Sequence, residues 1–292
     1  MTGANDAAPQ RKTIKMSFTK NTALALTAFA SLGLAAHPAS AGTPGSSIGI
    51  HFQGSTGSLV QNGAGAVVTT ATWNNFSGQS STGSTDDITY NNPNPNSSLE
   101  NNAGTATGTT ITFNAASIYR SGSPNTGGND SLMNGYLDTN NTDPTTATIN
   151  GITYSTYDVY VYALGDTSNR GASYTIGNTT YYLNSDDPTF GDGFKQVTNT
   201  SSTISAGGIY SGTNATGNYM EFMGLTGGSF TLTATPTYQN GSAARAPLNG
   251  IQIVDASPAA VPEASSLVSF GLLLAGAGGL MLRARKRATV AA

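Results

Sequence analysis

Tyr157-Asp158-Val159-Tyr160-Val161-Tyr162, running on into Ala163 and Leu164, is the stretch that decides the fold. Tyr157, Val159, Val161 and Ala163 point one way and Asp158, Tyr160 and Tyr162 the other, which is the period of two of a β-strand. Its β-branched and aromatic residues suit a pleated, half-buried surface. The pattern repeats on either side. In 229–235, Phe230, Leu232 and Ala234 alternate with threonines. In 173–182, two short runs flank Gly177-Asn178, a pair that suits a two-residue II′ or I′ hairpin turn. Further strands are predicted at 48–53, 66–72, 109–114, 145–149, 219–223 and 250–254, with 157–164 as the central one. No helical period of useful length interrupts them. Residues 42–255 are about the length that one β-sandwich fills. The expected fold is therefore all-β, a jelly-roll-like sandwich. Residues 79–102, with Asn91-Asn92-Pro93-Asn94-Pro95-Asn96, read as a long loop, and 256–260 as a linker. No internal repeat of fixed period appears, which argues against a propeller or solenoid.

Composition narrows the chemistry. The 292 residues include no cysteine, two histidines and 9% charged residues, so disulfides, thiolate metal sites and cysteine nucleophiles are excluded. Eight of the twelve basic residues lie near the two ends, and residues 42–262 carry a formal charge of −9. A body so charged has nothing with which to neutralise phosphates, so nucleic acid is not an expected partner.

The ends read as topological signals. Lys15 and Lys20 precede an apolar stretch at 23–36 and an A-x-A site at Ala39-Ser40-Ala41. This is the layout of a secretory signal peptide, 1–41, cleaved after Ala41 by signal peptidase once the export machinery has engaged it. Met16 stands as an alternative start. At the other end, 264–282 holds no charge over a length that spans a bilayer. The basic run Arg283, Arg285, Lys286 and Arg287 then stops transfer and places the tail, 283–292, in the cytoplasm.

Val261-Pro262-Glu263, the apolar span and the arginine-rich tail together resemble the PEP-CTERM sorting signal, with Ala264 standing where that motif has its second proline. The resemblance implies an exosortase as processing partner and a body delivered to the cell surface or exopolysaccharide matrix of biofilm- or floc-forming bacteria. Within the body, Trp73-Asn74-Asn75-Phe76, 132–138, 157–162 and Asn249-Gly250-Ile251-Gln252-Ile253 form an ordered set. It is similar to β-sandwich ectodomains attached to such signals in planctomycete- and verrucomicrobia-type bacteria. More distantly it resembles galactose-binding-like and malectin-like jelly rolls. That fold hosts carbohydrate binding and plain scaffolding alike, and the resemblance carries over no catalytic residue.

Read by themselves, the residues favour a non-enzymatic protein. His37 departs with the signal peptide, leaving His51, and no G-x-S-x-G elbow supplies a serine for a triad. One imidazole does not make a zinc site. Glu100 and Glu221, with Asp86-Asp87, leave a glycosidase open as an alternative. Asp186, Asp187 and Asp192 place three acids within seven residues, a candidate structural Ca²⁺ loop, with ordinary turn chemistry as the competing reading. Trp73, Asn74, Tyr160 and Tyr162 are the candidate sugar-binding set, combining aromatic faces with an amide. Tyr136 near Asp138 and the Tyr181-Tyr182 pair offer further aromatic material. Threonine-rich edge strands would also allow pairing between molecules. The expected function is that of an exported, non-enzymatic surface or matrix protein, structural or polysaccharide-associated. The alternative is a secreted carbohydrate-binding or glycosidase-like protein.

Overall fold

The computed structural model describes residues 46–53, 61–77, 98–120, 127–140, 142–237 and 244–257. The signal-peptide site at Ala39 and Ala41, the motif Val261, Pro262 and Glu263, the span 264–282 and the basic tail all lie outside the described residues, as do Asp86 and Asp87. Among the described residues no helix is long and apolar enough to cross a membrane.

In chain order the elements are β1 (Ser47–Gln53), β2 (Trp73–Ser77), β3 (Thr110–Asn114), β4 (Ser117–Arg120), α1 (Gly128–Asn134), β5 (Gly135–Asp138), β6 (Thr145–Asn150) and β7 (Tyr157–Tyr162). Then follow β8 (Gly171–Ile176), β9 (Thr179–Ser185), β10 (Thr216–Gly217), β11 (Tyr219–Leu225), β12 (Ser229–Pro236) and β13 (Gly250–Asp255). One sheet has the order β11-β7-β13-β1-β2, the other β10-β9-β8-β12-β6-β3, and β4 pairs with β5 alone. Pairing is antiparallel except for β1 with β2 and β10 with β9. The two large sheets pack as a sandwich.

The alternation read from the sequence holds. Tyr157, Val159, Val161 and Ala163 enter the main core, together with Ile48, Ile50 and Phe52 of β1 and Ile251 and Ile253 of β13. From the other sheet come Ala147, Ile149, Tyr174, Phe230, Leu232 and Ala234. Fully burying one such branched or aromatic side chain is worth about 1.5–3 kcal/mol, so this shared layer holds the sheets together. The hairpin at 173–182 forms with Ile176 opposite Thr179. Gly177 takes φ 57 while Asn178 keeps a negative φ, the II′ form of the turn.

Four expectations are corrected. Residues 66–72 are not a strand: Gly65 and Thr70 exchange backbone hydrogen bonds of 3.3 and 3.1 Å, closing the segment into a loop with Ala66 at φ 90. The strand begins at Trp73 instead. The helix α1 and strands β4 and β5 were not expected; seven and four residues are too few to show a period, and β5 is buried at every position. The long loop ends earlier than 102, because Leu99 is buried and its N–H bonds Thr109 O at 2.7 Å. The linker starts later than 256: Ala256 N–H donates to Thr156 O at 3.0 Å, and the Ser257 hydroxyl bonds that of Ser155 at 2.9 Å.

Candidate functional site

Side chains of the five-stranded sheet that face away from the main core line up in register. One row runs Glu221, Tyr160, Gln252, Gly49, Trp73, and the next Tyr219, Tyr162, Gly250, His51, Asn75. Alternation along β7 puts Tyr160 and Tyr162 on this face, and the parallel pairing of β1 with β2 adds Trp73. Three of the four candidate sugar-binding residues therefore do come together. Trp73 lies flat over Gly49, where a β-carbon would stand 2.8 Å from the indole, so the glycine is what lets the ring approach the sheet.

The face is covered. Residues 61–72 cross it as a strap and are sewn down by polar groups. Trp73 Nε1–H donates to Thr70 O at 2.9 Å. The Gln252 amide donates to Val68 O and Thr70 Oγ1, both at 2.5 Å, and accepts the Tyr162 hydroxyl at 2.7 Å. Val67 N–H donates back to the Tyr162 oxygen at 3.1 Å, and the Ser47 and Thr70 hydroxyls bond at 2.7 Å. Leu132 and Met133 of α1, with Phe190 and Phe194, complete an aromatic-rich second core. Trp73 is left 5% exposed and Tyr162 fully buried. Burial raises the Tyr162 phenol well above its ordinary range. Tyr160, buried on β7 beside the edge strand β11, donates to Glu221 Oε1 at 2.7 Å, and Gln196 donates to Glu221 Oε2 at 3.2 Å. Burial first, then that hydrogen bond, holds the Tyr160 phenol protonated.

Asn74 is separated from the other three. It lies on the opposite side of β2. Its amide nitrogen donates to Gly49 O and Glu100 O at 2.8 and 2.9 Å, and its oxygen accepts Glu100 N–H at 2.8 Å. The side chain thus acts as one more rung between β2 and residues 98–100.

The acidic run is engaged by its own neighbours. Asp186 pairs with Lys195 at 3.7 Å. Asp187 Oδ1 accepts the backbone N–H and hydroxyl of Thr189 at 2.9 and 2.8 Å, which holds its carboxyl below the usual range. Asp192 stands apart in an exposed turn. Among the described residues no three carboxylate or imidazole side chains gather as a metal site, whereas Ca²⁺ takes 6–8 oxygens. Turn chemistry accounts for Asp187.

Among the described residues, the catalytic candidates His51, Glu100 and Glu221 lie apart. His51 is buried, its Nδ1–H donates to Asn75 Oδ1 at 2.9 Å, and burial lowers its pKa to about 4, so it is neutral at pH 7. Glu221 belongs to β11 and Glu100 adjoins β2, the two outer strands of one sheet. Four strand spacings put their backbones roughly 19 Å apart, against the ~5–9.5 Å that separates the carboxyls of a glycosidase.

The far side of the sandwich is different. On the six-stranded sheet, the outward side chains form rows of Thr110, Asn150, Ser229; Thr112, Thr148, Thr231; Asn114, Thr146, Thr233, Thr175, Thr180; and Thr235, Ser173, Tyr182. Hydroxyls meet across strands, Thr148 with Thr231 and Thr175 with Thr180, each at 2.9 Å. No charged residue occupies any of these positions. Sequence reading placed the threonines on a wet face of each strand, but assembling them into rows needs the strand order. As alternation requires, Tyr182 lies on this side, against Tyr210, and Tyr181 on the other, against Phe222.

Fold and faces together define an all-β sandwich with one strapped aromatic side and one bare hydroxyl side. No protein-family model matches the chain, and no curated protein is found similar to it. Among solved structures it is similar to a chain in the crystal structure of the plant peptide RALF23 in complex with FER and LLG2, at 15% identity and TM-score 0.34. That match covers 74% of this chain and spans 41% of the other. It is also similar to the CBM36-1 domain of a multidomain xylanase from the hindgut metagenome of Trinervitermes trinervoides, at 15% identity and TM-score 0.27. Here 52% of this chain covers 99% of the domain.

Proposed function

We propose that this chain is an exported, non-catalytic β-sandwich of the cell surface or extracellular matrix, and that its bare six-stranded face lies against neutral polysaccharide. The charge-free rows of hydroxyl and amide groups on that face carry the reading. A neutral polymer of sugars offers the same chemistry, donors and acceptors in repeated array. Each threonine hydroxyl supplies one donor and two acceptors. No charge has to be stripped of water to bring the surfaces together. A single hydrogen bond exchanged with water nets only about 0.5–1.5 kcal/mol, so such a face suits long polymers held at many points. The leader and the PEP-CTERM-like tail support the location, with an exosortase as the processing partner.

The test is adsorption of the full chain to insoluble neutral polysaccharide, cellulose and mannan among them, compared with Thr231→Lys/Thr175→Lys. The wild-type chain is expected to be retained and the double variant released, because two desolvated ammonium groups disfavour contact. Equal retention of both, or none of the wild type, rules the face out. The mass of the mature C-terminus, from cells with and without an exosortase, tests the location.

A further inference from the structure

The body's few charges are unevenly spread. Four of them meet around Tyr136 at the corner built by the β4–β5 pair, the loop between β7 and β8, and residues 244–248. Tyr136 is buried, and its ring packs on that of Tyr119 with centroids 5.4 Å apart, while Tyr119 itself is 44% exposed. Two residues along β5, on the same side, comes Asp138, with Oδ2 3.2 Å from Arg245 Nε. Asp138 is 7% exposed, and its Oδ1 is buried without a hydrogen-bond partner. Asp166 and Arg170 form a second pair at 2.7 Å, within electrostatic reach of both Tyr136 and Asp138. Accessibility is graded: Tyr119 lies open, Asp166 and Arg245 half open, and Arg170 and Asp138 within.

This arrangement carries no net charge. Two carboxylates are matched by two guanidiniums, so neither a cation nor an anion gains net attraction in the corner, while the body around it is acidic. A neutral ligand rich in hydroxyls needs no such attraction. Its O–H groups donate to the half-open Asp166 carboxylate, and its oxygens accept from the half-open Arg245 guanidinium. The open ring of Tyr119, backed by Tyr136, offers a flat apolar surface for the C–H side of a ring.

We propose that the Tyr119–Tyr136–Asp138 corner is a binding site for a single ring of a neutral sugar, with Tyr119 as the stacking face, Asp166 and Arg245 as hydrogen-bonding groups and Asp138 holding Arg245 in place. The site goes beyond the hydroxyl face proposed above: it is a discrete corner beside the β4–β5 pair, so each can fail alone.

Calorimetric titration of the full chain with cellotetraose, xylotetraose and mannotetraose, and with tetragalacturonate as the charged control, tests it. At least one neutral tetramer is expected to bind, and tetragalacturonate at least about tenfold more weakly, since its carboxylates gain nothing net from the corner and are repelled by a body of formal charge −9. Tyr119→Ala is expected to weaken the neutral tetramer by about tenfold or more and Tyr119→Phe by less than about threefold, because stacking needs the ring and not its hydroxyl. Asp166→Asn, half exposed and expected to fold, should also weaken it. Thr231→Lys/Thr175→Lys should leave tetramer binding unchanged while abolishing polymer adsorption. Absence of binding by every neutral tetramer overturns the proposal, as does preference for tetragalacturonate or an unchanged affinity in Tyr119→Ala. Polymer adsorption that survives such a result leaves the hydroxyl face standing; its loss with tetramer binding intact does the reverse.

Discussion

The two outward faces of the sandwich are built by the same alternation, and they end in opposite states. On the five-stranded sheet, Trp73, Tyr160 and Tyr162 stand outward and are covered by the strap, α1 and the segment holding Phe190 and Phe194. On the six-stranded sheet, threonines stand outward and nothing described covers the central rows. Side-chain size and hydrogen-bonding need make the difference. A large ring left in water wastes its apolar area, so it recruits a cover. A threonine is satisfied by water or by its neighbour across the strand. The cover over the rings is fastened largely through polar groups, with Gln252 at its centre, and this makes it specific in register as well as attractive.

The sharpest way to break the comparison is to remove the largest side chain of the covered face. Trp73→Ala takes away the ring that fills the space between Gly49 and the strap, together with the hydrogen bond to Thr70 O. Truncating a buried tryptophan costs about 3–5 kcal/mol, and chemical denaturation should show a loss of that order. Thr231→Ala, on the bare face, should stay within about 0.5 kcal/mol. Similar losses from both would mean that the strap adds nothing to the packing of the covered face.

A second test uses acid. His51 lies on the covered side, and burial lowers its pKa from 6.5 to about 4. The unfolded chain therefore takes up a proton before the native state does. The stability tied to neutral His51 is fully present above pH 6.5 and is lost as pH falls towards 4. Asp138, in the corner, has the opposite shift: burial raises it from 3.8 to about 6, against the pull of Arg245 and Arg170. Its ionised form is strained in the native state, so stability rises as pH falls from 6 towards 3.8. Each shift is worth about 3 kcal/mol at 1.36 kcal/mol per unit, with opposite sign over nearly the same window. Asp138→Asn should make the protein lose stability steeply between pH 6.5 and 4. His51→Gln should make it gain stability over that interval relative to wild type. Parallel pH profiles for the two variants would refute the opposing assignment.

These regions were not equally legible in the sequence. The central strands were, because Tyr157–Tyr162 and Ser229–Pro236 carry long, strict alternation that tertiary structure then used. The strap was misread as a strand because Ala66, Val67 and Val68 followed by threonines have strand composition; only the exchanged bonds between Gly65 and Thr70 show that the chain turns back. Alternation put Tyr160 and Tyr162 on one face, but neither the place of Trp73 beside them nor their cover was legible, since the strap's partners, Gln252 and Tyr162, lie more than ninety residues away in sequence. Asn74 was grouped with Trp73 by adjacency, although adjacent strand residues point to opposite sides. The corner around Tyr136 was visible only as Tyr136 near Asp138, because Arg245 and Asp166 come to it from two other loops.

The smallest expected effect separates two reasons for the threonines. Thr148 and Thr231 bond through their hydroxyls at 2.9 Å, but both face solvent. If threonine is there to stabilise the sheet, replacing the pair by valine, which keeps the β-branched shape, should cost the cross-strand interaction, about 0.2–1 kcal/mol. If it is there for what the face touches, stability should barely move, since valine suits a strand equally well and water already competes for the hydroxyls. Adsorption to neutral polysaccharide should then fall, because two donors have been lost from the middle of the array. Chemical denaturation and adsorption measured on the same Thr148→Val/Thr231→Val chain distinguish the two. A change confined to adsorption identifies the bare face as a surface kept polar for a partner, whereas a change confined to stability makes it an ordinary wet side of a sheet.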